Sequence, residues 1–290
     1  MRVRGAALLL VLWLVAMLAA LVGAFALIAQ VEHLQGQVLF RGVVAREAAR
    51  AGLEYALERL GAADPRVAWI PDGRAYAWTW HGASVELRIV DEQGKVDLNL
   101  ADVPLLSALM QATGSEKRDA DDIAAAILDW RDPDPLTQPG GGAEDPDYEA
   151  AELPYGAKDA PFEDVSELRQ VLGVDSDLFT RVVPHLTVHS GRPRPDPAFA
   201  AAPVLVALGL DAQQVIGMRR AWDPASGEPP PFIPGLGPLV GAGSGTYSID
   251  SRARLRDGRE TMLRVVVRAG GSGLPGSTYT PLEWQEEASR

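Results

Sequence analysis

The chain has 290 residues, 47% of them hydrophobic, with 39 acidic against 27 basic side chains, a net charge of −12 and no cysteine. That length and apolar content suit one large domain or two small ones beside any membrane segment. The negative balance repels phosphate and argues against a nucleic-acid surface, and without cysteine no disulfide staples the fold.

The first element is apolar. After Arg2 and Arg4, the stretch from Ala6 to Ala29 carries neither charge nor proline. As a helix it is about 36 Å long, enough for a bilayer core of roughly 30 Å. The preceding arginines keep the N-terminus cytoplasmic and send the rest across the membrane. Three readings stay open on these residues: a plain anchor, a cleaved signal, or a segment processed at Gly5. Helical character continues past Glu32, with Ala49, Leu53, Ala56, Leu57 and Leu60 at three- and four-residue steps up to Gly61 and Pro65. Gly36 and Gly42 mark candidate kinks.

Next comes alternation. Tyr76, Trp78 and Trp80 share one face, and Val85, Leu87 and Ile89 share a face of the next strand. His81, Gly82, Ala83 and Ser84 are read as the hairpin connection. Far downstream, Asp257-Gly258 marks a second hairpin, with Leu263, Val265 and Val267 alternating against Arg264, Val266 and Arg268. Between the hairpins the pattern is one of short amphipathic helices. Asp102, Asp119, Asp164 or Ser166, and Asp175 or Ser176 are candidate N-caps. Two segments in this region, VDLNLADVPLLSALMQATG and DPAFAAAPVLVALGL, begin alike.

The most unusual stretch is ILDWRDPDPLTQPGGGAEDPDYEAAEL. Asp129, Asp132, Asp134, Glu144, Asp145 and Asp147 crowd into a loop rich in proline and glycine. Carboxylates so dense repel one another unless a cation or an arginine sits among them. Calcium takes six to eight oxygens in flexible geometry, but the EF-hand spacing is absent. A solvated acidic loop, a Ca²⁺ site and catalytic carboxylates all remain open. Trp130 and Tyr148 are expected to pack the loop down. The histidines offer little: His185 and His189 supply two ligands, short of a zinc site. The Gly-rich GLGPLVGAGSG opens no helix, and VLVALGLDAQQVIGMRR, half of a helix-hairpin-helix in appearance, has too few basic neighbours for DNA.

Taken in order, EAARAGLEYALERL, DEQGKVDLNLADVPLL, AAAILDWRDPD, GGGAEDPDY, LPYGAKDAPFEDVSELRQVLGV and LTVHS resemble the type II secretion system protein K family, the large minor pseudopilins. The resemblance covers nearly the whole chain. It implies an α+β fold: a pilin-like long N-terminal helix packed on a small antiparallel sheet, with a large all-α insertion between strands. It divides the chain into a leader (1–5), the membrane half of the helix (6–29), its soluble half with the first strands (30–98), the helical insertion (99–245), and the last strands with a C-terminal tail (246–290). It further implies prepilin peptidase cleavage between Gly5 and Ala6, N-methylation of Ala6 and a structural Ca²⁺ in the helical part.

The implied setting is the bacterial inner membrane, spanned once, with the C-terminal domain periplasmic. The implied partners are the minor pseudopilins I and J, with H as a further neighbour, and no nucleic acid. The implied role is tip capping without catalysis. Most pilin-like chains carry Glu at mature position five; here that position is Leu10, which suits a subunit with no earlier neighbour to neutralise. Competing readings are a minor pilin of a related type IV pilus-like system, a membrane-tethered periplasmic helix-hairpin-helix binding module, and a metal-dependent hydrolase using the acidic loop.

Overall fold

The computed structural model describes residues 4–241, 243–271 and 278–287; for residues 4–7, 34 and 37–39 it describes the helical backbone only. Arg2 therefore lies outside the described residues, and Gly5 and Ala6 are described by their backbone alone.

One helix, α1 (Arg4–Leu60), runs for 57 residues. Gly36 and Gly42 do not interrupt it. Its stretch Leu8–His33 has a mean hydropathy of 2.8 and none of it is buried in the fold, so by length and composition it can cross a membrane. From Ala45 onward the same helix changes character: Ala45, Ala48, Ala49, Leu53 and Ala56 are buried against a sheet. Small residues on that stripe let the backbone approach closely. A Cβ at Gly52 would stand 2.5 Å from Ser251 Oγ and 2.9 Å from Val85 Cγ1, and the Ser251 hydroxyl donates to the Ala49 carbonyl at 2.8 Å.

The sheet has five antiparallel strands in the order β1-β2-β7-β8-β9. Strands β1 (Asp72–Trp80) and β2 (Ala83–Asp91) form the first hairpin. Its turn is shorter than the four residues read from sequence. Only His81 and Gly82 intervene, both at positive φ (45° and 83°), the left-handed pair that a two-residue turn requires. Strands β7 (Thr246–Arg254) and β8 (Glu260–Ala269) form the second hairpin around Asp257-Gly258, as expected. A fifth strand, β9 (Tyr279–Glu287), pairs with β8. Val85, Leu87, Ile89, Tyr247, Ile249, Leu263, Val265 and Val267 join the α1 stripe in one core. Val266, which alternates with that set, is also buried. It faces the other side of β8, into a crevice lined also by Val183, Leu186 and Val204 of the insertion.

The insertion leaves the sheet at Asp91, earlier than the boundary at residue 98 read from sequence. Val96 and Leu98 already belong to a second core, formed by the helical part. Its elements are β3 (Val96–Asp97), α2 (Val103–Ala112), α3 (Lys117–Arg131), α4 (Asp145–Ala150), α5 (Ser176–Val182), β4 (Leu186–Thr187), α6 (Ala202–Ala207), α7 (Ala212–Ala221), and the two-residue strands β5 (Phe232–Ile233) and β6 (Gly237–Pro238). Asp102 and Asp175 cap α2 and α5, and Asp164 caps a short 3-10 turn. Asp119 does not cap α3: the helix starts at Lys117 after Glu116, which places Asp119 inside the first turn.

Two buried polar knots join the lobes where the chain crosses between them. Asp91 accepts from the Gln93 amide and from the Ser244 hydroxyl. Glu92 is 1% exposed and takes Lys95 Nζ at 2.7 Å, with the hydroxyls of Ser248 and Thr187 on its two oxygens. Burial alone would raise the Glu92 carboxyl; the Lys95 ammonium and these hydrogen bonds outweigh it and hold the group below the ordinary carboxylate range.

Candidate functional site

The acidic loop is built by the end of α3 and the start of α4. Helix α3 turns Asp129 inward. That carboxylate is fully buried and accepts the amides of Ala143 at 2.8 Å and Gln138 at 3.1 Å. The loop closes tightly over it: a Cβ at Gly142 would stand 2.0 Å from Asp129 Oδ2. Asp132 takes Gln138 Nε2 on one oxygen at 3.3 Å, while its other oxygen, Oδ1, is buried without a partner. Glu144 is 5% exposed, and its Oε1 is likewise buried and unpartnered. Trp130 and Tyr148 are both buried beneath the loop, ring centres 6.0 Å apart, as expected.

The six carboxylates divide into two groups. Asp129, Asp132, Asp134 and Glu144 act on one another. Glu144 is pushed up to about 7, first by burial and then by repulsion from Asp129, Asp159, Asp132 and Asp134. Asp129 is raised by burial, against its two amide donors. Asp145 and Asp147 do other work. Asp145 accepts the Ala157 amide at 3.1 Å, and Asp147 accepts the Glu144 amide at 3.0 Å and so braces the start of α4. Asp159, which the sequence reading did not single out, joins the first group from a loop position at φ 52°. Its only sequence signal is a position shortly after Gly156 in the same loop-rich stretch.

Among the described residues, no three His, Asp or Glu side chains are drawn together tightly enough to ligate one ion as they stand. The donor set nonetheless suits a hard cation. It is all oxygen, two of its buried oxygens lack any partner, and its negative charges repel one another. The histidines make no site: His185 ends a 3-10 turn, and His189 pairs with Glu283 of β9 at 3.0 Å. In the α6–α7 pair, Arg219 is buried and donates to the Ala198 and Ala200 carbonyls at 3.0 and 2.7 Å, so it faces away from any ligand.

At the N-terminus, Gly5 and Ala6 lie in the first turn of α1, and Leu10 is 64% exposed on the apolar stretch.

Residues 86–191 match the family model described as type II secretion system (T2SS), protein K. Three relatives carry the name type II secretion system protein K. The one from Pectobacterium carotovorum is 40% identical over 27% of this chain and 24% of its own length. That from Klebsiella pneumoniae is 31% identical over 52% of this chain and 50% of its own. That from Aeromonas hydrophila is 28% identical over 64% and 67%. The matched part thus spans 24%, 50% and 67% of these three relatives' own lengths. A chain of the solved GspK-GspI-GspJ complex of enterotoxigenic Escherichia coli shares the fold, with a TM-score of 0.57 at 18% identity over 89% of this chain and 99% of that one. By a matched domain, three relatives of one name and a fold common to nine-tenths of the chain, this chain is similar to the type II secretion system protein K family.

Proposed function

We propose that this chain is a minor pseudopilin that caps the tip of a periplasmic pseudopilus together with minor pseudopilins of types I and J. In this reading it is held in the bacterial inner membrane through Leu8–His33 and supports protein export as a structural part, not as an enzyme. The observation that carries the reading is the pairing of an uncovered apolar helix with a helical insertion as large as residues 92–245, which meets the face of the sheet opposite that helix at Val266 and Glu283. A helix of that kind suits a fibre of packed stems, and a second lobe of that bulk obstructs further stacking. Leu10 supports the terminal position, because an apolar side chain there leaves no carboxylate for an earlier neighbour's amine.

Prepilin peptidase is expected to cut between Gly5 and Ala6. Mass spectrometry of the protein co-expressed with the peptidase reads the new N-terminus; a chain still beginning at Met1 refutes the processing. Co-purification with I- and J-type minor pseudopilins tests the assembly, and no complex at micromolar concentration refutes it.

The acidic loop is proposed to hold Ca²⁺, with Asp129, Asp132, Asp134, Glu144 and the newly placed Asp159 nearest the charge; Asp145 and Asp147 support the loop from α4. The ion would neutralise the cluster and tie α3 to the loop before α4.

A further inference from the structure

The two edges of the five-stranded sheet are unlike. Edge strand β9 carries Pro281, which has no amide to offer, together with Glu283, Glu286 and Glu287. These are the usual protections against strand addition. Edge strand β1 has none of them from Ala75 to Trp80: the sequence AYAWTW holds no charge and no proline.

The register shows which backbone groups are free. A two-residue turn makes Trp80 and Ala83 exchange hydrogen bonds, so Trp78↔Val85 and Tyr76↔Leu87 do the same two and four residues on. Ala75, Ala77 and Thr79 alternate with them and turn their amides and carbonyls away from β2. All three are exposed, and among the described residues no hydrogen bond satisfies these groups. Their side chains are small and lie on the face opposite α1. Tyr76, Trp78 and Trp80 lie half-buried on the α1 side, where Tyr76 stacks on Trp69 at 4.2 Å and Trp78 on Tyr55 at 4.5 Å. The edge is thus a rigid row of donors and acceptors with an aromatic rim on one side and open space on the other.

We propose that the β1 edge is an assembly surface, completed by an extended, uncharged segment of a neighbouring minor pseudopilin that adds to the sheet as a sixth strand. The proposal rests on the assembly reading above. A row of unpaired main-chain groups selects an extended polypeptide, and the absence of charge selects apolar residues opposite Tyr76 and Trp78. A second copy of this chain does not fit. Antiparallel β1–β1 pairing turns about an axis normal to the sheet, which reverses every direction in the sheet plane. Helix α1 lies along that plane, so the two membrane segments would point opposite ways and could not enter one bilayer. The solved complex that contains a chain of this fold also holds GspI and GspJ.

The test uses the full chain in detergent with purified I- and J-type minor pseudopilins. Ala77→Pro removes one outward amide and leaves the β2 ladder intact; Thr79→Lys places a charge on the edge. With both variants melting like the wild type, binding is expected to weaken about tenfold or more. The amides of Ala75, Ala77 and Thr79 are expected to become protected from hydrogen exchange in the wild-type complex. A complex formed equally well by Ala77→Pro, with those amides unprotected, overturns the edge proposal and leaves the assembly reading standing. No complex with the wild type overturns both. A wild-type homodimer that Ala77→Pro abolishes assigns the edge to a second copy and also overturns the proposal.

Discussion

Glu144 sits where a carboxylate is costly, 5% exposed and facing four other acids. Its pKa, raised from 4.5 to about 7, fixes a sign. Between those values the folded protein binds more protons than the unfolded chain, so stability falls as pH rises through that window, and the loss is complete above it. In chelator the melting temperature is therefore expected to drop between about pH 5 and about pH 7.5. With millimolar calcium the slope should flatten, because the cation replaces the proton as the neutralising charge. The same slope with and without calcium, followed by circular dichroism, refutes the metal assignment. The acids of this loop were legible in the sequence as a cluster because they are neighbours in the chain. Their division was not: nothing local separates Asp129, which turns inward, from Asp145 and Asp147, which brace the loop. Glu92 was illegible for a related reason, since its hydroxyl partners Thr187 and Ser248 lie 95 and 156 residues away.

Helices α2–α3 and α6–α7 repeat one construction. Arg131, at the end of α3, reaches back to the carbonyls of Leu98 and Ala101, the latter at 2.7 Å, just before α2. Arg219 near the end of α7 does the same to Ala198 and Ala200 before α6. The likeness of the two segment starts was visible in the sequence; the arginine closing each unit was not, because only the helix turn between them brings it back. Burial lowers the pKa of both guanidiniums, yet a planar fork suits two carbonyls as an ammonium does not. Replacing Arg131 by Met is expected to cost about 1–3 kcal/mol for each carbonyl left bare, read as a fall in the urea midpoint. Lys at 131 should recover only part of it. A Met variant as stable as wild type refutes the clamp. Strand β9 also escaped the sequence reading: Pro281 and the acids that blunt its edge also erase the alternation by which strands are recognised.

At the scale of the molecule there are two hydrophobic cores, one between α1 and the sheet and one inside the insertion. They meet through two chain crossings, the polar knots at Asp91 and Glu92, and the His189–Glu283 pair beside the crevice at Val266. The two-lobed plan was legible because strand and helix periods differ so plainly along the chain; the boundary near residue 92 was not, since Val96 and Leu98 alternate like strand residues while packing with helices. Separate apolar cores joined mainly by polar contacts need not loosen together. The acidic cluster belongs wholly to the insertion, where α3 and the loop before α4 cover Trp130 and Tyr148. Chelation should therefore raise hydrogen-exchange rates at the amides of α2, α3 and α4 while β7 and β8, paired along nine consecutive residues, keep their protection. Wild-type protein in calcium and in chelator, compared peptide by peptide, decides this. Uniform loosening of both lobes would mean that the Glu92 knot makes them one cooperative unit. No change in either lobe would mean that the cluster is neutralised without a metal.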